Sequence, residues 1–408
     1  MQKRIEISPK KKIAFVCSGG ATKAGAFHLG VALALKEQGF KFQGGLATPG
    51  GEAPLLGPKD IATYVGSSAG SIICSYLAAG FSLDNIFNSF LNRQPTDPAD
   101  ATPKVLPPLT YSVMFKLRRE LAGEQLKQLK HWRDIAGTLM RGDWQQLVEM
   151  RWLKTTGIFS TAGLEQYLRE DVLPSNRFSD YRSDLFVVGT QLNHTHKVVF
   201  GKYGFEPPPH DPDCLYKNDV PISQACAAST ALPFVYSPYP IKTDSGRVNY
   251  YIDGEIRDTL STHVAADAGA DLIFASYTHQ PYHYNREVGS LTELGLPTIL
   301  IQSIYLVVEQ KVNNYIHSKK VQRNAIDAVS SYCRQQGLDD NHRRRICEIL
   351  ENELHHRMNV DTIYIHPRAN DTKMFTSEHF NLSAKKMTEV VRSGFKAAID
   401  VLRRYRFN

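Results

Sequence analysis

Two side chains in this sequence could do chemistry together: a serine in a cramped turn and an aspartate at the end of a strand. Ser68 sits in Gly66-Ser67-Ser68-Ala69-Gly70, a G-x-S-x-G pattern. Strand-like "IATYVG" (61–66) precedes it and helix-like "AGSIICSYLAAG" (69–80) follows. On such a strand-to-helix turn the hydroxyl is pushed into a cleft, and flanking glycines tolerate strained dihedrals and close approach of a substrate. The helix N-terminus behind the serine presents N–H groups and a positive dipole end, which favour developing negative charge. The same small residues can also serve only to pack a helix closely on a sheet, so the pattern alone leaves that role open.

A second glycine cluster, "CSGGATKAGAFHLG" (17–30), ends one strand and opens a helix. Small residues there leave backbone N–H groups exposed as an anion-binding nest. Neither G-x-G-x-x-G nor G-x-x-x-x-G-K-[ST] fits, so an oxyanion hole serving the neighbouring serine suits the cluster better than a phosphate site. The serine needs a base. Asp253 ends the strand "VNYYIDG" (248–254), where partial desolvation would raise its basicity, although turns also favour aspartate for purely local reasons. His263 follows Asp253, so the chain order Ser…Asp…His of an α/β-hydrolase triad also stands open.

The elements that must position these residues alternate. Strands are expected at 11–18, 61–66, 184–192, 248–254, 271–278 and 362–367, and helices at 24–38, 69–80, 261–268 and 383–405. That rhythm predicts an α/β fold with a mostly parallel sheet covered on both faces, and ligands bind such sheets at the carboxyl ends of the strands. Residues 43–59 are rich in glycine and proline and read as a loop; 85–156 read as a basic helical insertion, and 304–358 as two or three long amphipathic helices.

These blocks together resemble the patatin-like phospholipases. The glycine-rich segment, "GSSAG", "ACAASTALPFVYSP" (225–238) and the "DG" block stand in that family's order, with "GIFSTAGLEQYL" (157–168) and "GTQLNHTHKVVF" (189–200) resembling its connecting segments. The resemblance implies a three-layer fold, with a catalytic domain over 11–290 and a mainly helical extension over 291–408 completing it. It implies Ser68 as nucleophile and Asp253 as general base of a Ser-Asp dyad with no catalytic histidine. Gly19, Gly20 and Ala21 fall where the oxyanion donors belong, and Gly66, Gly70, Gly254 and Lys23 support the motifs. The implied activity is hydrolysis of a lipid ester, a phospholipid or an acylglycerol, without metal or organic cofactor. Acyl transfer through the same intermediate, or a catalytically silent lipid- or nucleotide-sensing module, are the alternatives. Two departures stand out: Gly19-Gly20-Ala21 replaces a glycine triplet, and Glu255 takes a position where the family has Gly or Ala. Glu255 adds a carboxyl near the base, which could raise its pKa or point to solvent.

The 408 residues are 42% hydrophobic and 22% charged, the balance of a soluble globular protein. No apolar run reaches the roughly 18–20 residues needed to span a bilayer, and the N-terminus carries no signal-peptide pattern. Six cysteines without CxxC spacing suggest neither a zinc site nor a disulfide framework, so a cytoplasmic protein with reduced thiols is expected. All three tryptophans (Trp132, Trp144 and Trp152) lie within 104–154, where ten basic residues face five acidic ones. Tryptophan with Lys and Arg on helical sequence is the composition of an interfacial surface, although tryptophans buried under a helical cap would read the same way. Peripheral contact with a lipid surface is therefore expected; nucleic acid is not, and the sequence leaves the oligomeric state open.

Overall fold

The computed structural model describes residues 4–407 except 49, 51–54, 96–103, 118–156, 158, 204–212, 234, 244, 280, 285, 287–288, 295, 369–370, 372–373 and 375–379. Most of the basic insertion, with all three tryptophans, thus lies outside the described residues.

The described strands are β1 (Ile5–Ile7), β2 (Ile13–Cys17), β3 (Lys41–Phe42), β4 (Asp60–Ser67), β5 (Lys116–Leu117), β6 (Phe159–Ser160) and β7 (Asp184–Gln191). They continue with β8 (Lys197–Gly201), β9 (Cys214–Lys217), β10 (Tyr239–Lys242), β11 (Val248–Asp253), β12 (Leu272–Ser276), β13 (Asp361–Ile365) and β14 (Tyr405–Phe407). The helices are α1 (Ala21–Glu37), α2 (Ala69–Ala78), α3 (Leu83–Phe90), α4 (Tyr111–Met114) and α5 (Ala162–Tyr167). After them come α6 (Ile222–Ser229), α7 (Thr262–Asp267), α8 (Leu296–Gln335), α9 (Asp340–Glu353) and α10 (Ala384–Leu402).

The central path of the main sheet runs β10-β11-β7-β4-β2-β12-β13. Its middle is parallel, from β7 through β4, β2 and β12 to β13. The expected mostly parallel sheet is present, with an antiparallel flank of β8, β10 and β11. Alternation along β2 separates the two faces. Ile13, Phe15 and Cys17 join a core with α1, α2, α6 and α10, while Ala14 and Val16 join one with α7 and α8. These are the three layers, and burying both faces explains why the middle strands read as continuous apolar runs. Phe15 and Phe27 are both wholly buried, and side chains of that size each contribute on the order of 2–3 kcal/mol.

Several boundaries differ from the sequence reading. Helix α1 starts at Ala21 rather than 24, because the glycine-rich loop turns tightly and enters the helix at once. The amphipathic stretch is two helices, and the first begins at Leu296. The closing helix stops at Leu402, after which β14 pairs in parallel with β1 at the other end of the chain. Helix α10 lies directly on α1: a Cβ on Gly30 would stand 2.1 Å from the Val391 carbonyl, and one on Gly394 2.2 Å from the Phe27 carbonyl. The six cysteines are free thiols. No described helix is long and apolar enough to cross a membrane.

Candidate active site

Ser68 joins β4 to α2 with φ 51° and ψ −125°, a conformation that costs a residue with a side chain about 1–3 kcal/mol. The surroundings hold it there. Its N–H donates to Ser229 Oγ at 2.8 Å, and its carbonyl accepts from Ser71 N–H at 2.9 Å and Ser71 Oγ at 2.6 Å. The glycines of the motif are required by contact. A Cβ at Gly66 would lie 2.5 Å from Ser71 Cα, and one at Gly70 would lie 2.2 Å from the Cys17 carbonyl. So α2 sits tight on the ends of β2 and β4, with the dipole at its N-terminus directed at the Ser68 turn.

Asp253 ends β11, which runs antiparallel to β7 and pairs Asp253 with Gly189. Ser67 pairs with Val188 on the other side of β7, so the register brings Asp253 to the level of the Ser68 turn. Its backbone is fixed on both sides, N–H to the Ala231 carbonyl at 3.0 Å and carbonyl from Thr190 Oγ1 at 3.1 Å. Gly254 then passes under the turn, where a Cβ would meet the Val188 carbonyl at 2.2 Å and Ser67 Oγ at 2.6 Å. The Asp253 carboxylate accepts the Glu255 N–H at 3.0 Å, and the Ser68 side chain stands near enough to favour its ionised form. Burial pushes Asp253 up to about 6, with the nearby Ser68 side chain and the Glu255 N–H pulling the other way. A carboxylate tuned in this way is ionised at neutral pH and more basic than one in water.

The glycine-rich loop leaves β2 beside Ser68. Gly20 and Ala21 take φ of 128° and 57°. Ser18 N–H donates to the Ser276 carbonyl at 3.0 Å, and Thr278 Oγ1 donates to the Gly19 carbonyl at 3.0 Å. Buried His28 ties the loop further: Nε2 lies 2.9 Å from the Ser18 carbonyl and Nδ1 2.7 Å from Ser276 Oγ. Burial lowers its pKa to about 4, so the ring is neutral, with the proton on Nε2 facing the carbonyl. The Gly19 N–H donates to Glu255 Oε1 at 2.7 Å. Burial and the neighbouring Asp253 charge raise Glu255 to about 8. Of the two readings left open for Glu255, pointing to solvent does not hold: it is buried against the loop.

Lys23 is buried in α1, its Nζ donating to the Met374 carbonyl at 2.8 Å and lying 5.4 Å from the Tyr305 ring centre. Burial lowers it to about 7. His263, the open alternative for a triad, stands with Nδ1 3.6 Å from Asp258 Oδ2. Among the described residues, no group of His, Cys, Asp and Glu side chains is placed to hold a metal ion. The motif reading did not single out Ser229, His28 or Thr278. Ser229 lies inside the quoted "ACAAST" block and His28 inside the glycine-rich cluster, but no local pattern marks either side chain, or Thr278, as part of the site.

The family model described as Patatin-like phospholipase matches residues 15–266, a span from β2 through Ser68 and Asp253 into α7. No curated protein matches the chain. With more than half its length under that match, the chain belongs to the patatin-like phospholipase family, a family of lipid acyl hydrolases.

Proposed function

We propose that this protein hydrolyses a carboxylic ester of a lipid, a phospholipid or acylglycerol, through a Ser-Asp dyad. Asp253 takes the Ser68 proton as Ser68 Oγ adds to the ester carbonyl, and the carbonyl oxygen gains negative charge. N–H groups of the loop at Gly19, Gly20 and Ala21, with the α2 dipole, stabilise that oxygen. Collapse breaks the C–O bond to the leaving alcohol, which takes the proton held by Asp253. Water then adds to the acyl-enzyme with Asp253 again as base, releasing the fatty acid and restoring Ser68. The observation that carries this reading is a serine on a strained strand-to-helix turn brought by the sheet register beside a desolvated carboxylate.

Binding to an anionic lipid surface through the basic segment 104–154 belongs to the same proposal, supported by its surplus of five positive charges. Incubation with mixed phospholipid and acylglycerol vesicles, followed by product analysis, tests the reaction. Free fatty acid in the wild type and none in folded Ser68→Ala is expected; equal release by both would contradict it.

A further inference from the structure

Glu255 follows Asp253-Gly254 and turns its side chain back across the site. A Cβ built on Gly19 would lie 2.7 Å from Glu255 Cγ and 2.8 Å from Ser68 Cβ, so Gly19 is wedged between the two side chains. Its N–H is satisfied by Glu255 Oε1 at 2.7 Å. One N–H cannot serve two acceptors at full strength. A substrate oxygen arriving at this amide therefore competes with the carboxyl already there. Among the described residues the other oxygen, Oε2, is buried without a hydrogen-bonding partner, as is the His279 Nδ1 that stands 3.8 Å away. The carboxyl is thus incompletely satisfied where it rests.

We propose that Glu255 is a further residue of the reaction: its carboxyl occupies the oxyanion position on Gly19 and must yield it to the substrate oxygen when Ser68 attacks. This rests on the reading of Ser68 as nucleophile. The charge on Glu255 sets how readily it yields. A neutral carboxyl accepts weakly; an ionised one binds the N–H more strongly and places negative charge where the oxyanion forms. The titratable groups around it are Asp253 and Asp258 on its own segment, His279 after β12, and Lys23 and Tyr305 beyond the His279 ring. His279 is neutral, its pKa lowered to about 3 by burial, and so supplies no compensating charge. With Glu255 raised to about 8, the occupant is neutral near pH 7 and tightens its hold above pH 8.

The test is the rate at which a fluorophosphonate labels the serine, because its phosphoryl oxygen needs the same N–H. Glu255→Gly, which installs the residue usual in the family, should label about tenfold faster than wild type at pH 9, one charge-assisted hydrogen bond having been removed. Glu255→Gln keeps a neutral acceptor: it should match wild type at pH 7 and lose no rate above pH 8. Glu255→Ala replaces the glycine variant if that one does not melt cooperatively. Wild type that labels, with folded variants showing the same rates and pH dependence or with Glu255→Gly slower, would overturn this inference alone. No labelling in any form, wild type included, would overturn the nucleophile reading itself.

Discussion

The Ser229 hydroxyl joins the Ser68 turn to the sheet: it accepts the Ser68 N–H at 2.8 Å and donates to the Val188 carbonyl at 2.5 Å. Helix α6 thereby braces a strained residue on a different element. Ser229→Ala leaves a buried N–H and a buried carbonyl without their partner, which costs roughly 1–3 kcal/mol. The expected result is a lower melting temperature together with a loss of turnover larger than the change in KM. Unchanged stability and turnover would mean that the turn holds itself.

How much of this site was legible in the sequence depended on distance along the chain. The Ser68 turn was readable because strand, small residues and helix are contiguous; β4 and α2 lie within two residues of the expected ends. The contact of Glu255 with Gly19 spans 236 residues, and no local pattern announces it. The same holds for β1 with β14, and for the antiparallel β11, whose direction depends on pairing with β7. The late start read for α1 has another cause. Gly-Gly-Ala-Thr-Lys has loop composition, yet the Ser18, His28 and Thr278 hydrogen bonds order it into a helix entry.

Dyad and triad part at Asp253 and His263. Asp253→Asn should lose roughly 10²–10⁴-fold in kcat, the scale of a general base, while His263→Ala keeps its activity because His263 faces Asp258. The wild-type rate should also rise with pH through about 6 as Asp253 ionises. A comparable loss at His263 would contradict the dyad.

The share of stability supplied by Asp253 and Glu255 should fall as pH rises from about 4.5 to about 8, while buried neutral His28 and His279, which the unfolded chain protonates below about 6.5, act in the opposite sense. The folded protein keeps protons on Asp253 up to about 6 and on Glu255 up to about 8. The unfolded chain has already released them, so at these two carboxyls the native state binds more protons across this window and loses stability as they leave. Glu255→Gln removes its share, so the wild-type melting temperature should fall relative to that of the variant as pH rises across the window. Equal slopes would place the Glu255 proton elsewhere.

The basic segment gives a separate test. Reversing Lys127, Lys130 and Arg133 to glutamate should reduce sedimentation with anionic vesicles while sparing turnover of a soluble ester. Wild-type binding should weaken with salt, since the Debye length shortens from about 10 Å at 0.1 M. Binding indifferent to salt and lipid charge would make the segment a packed cap.

A covalent inhibitor that reacts with activated serines reports the nucleophile itself. Fluorophosphonate treatment of the native protein, digestion and mass spectrometry should place one phosphonyl adduct on Ser68, with none in Ser68→Ala and a strongly slowed reaction in Asp253→Asn. An adduct on another residue, or equal labelling of Ser68→Ala, would contradict the assignment of Ser68 as the nucleophile.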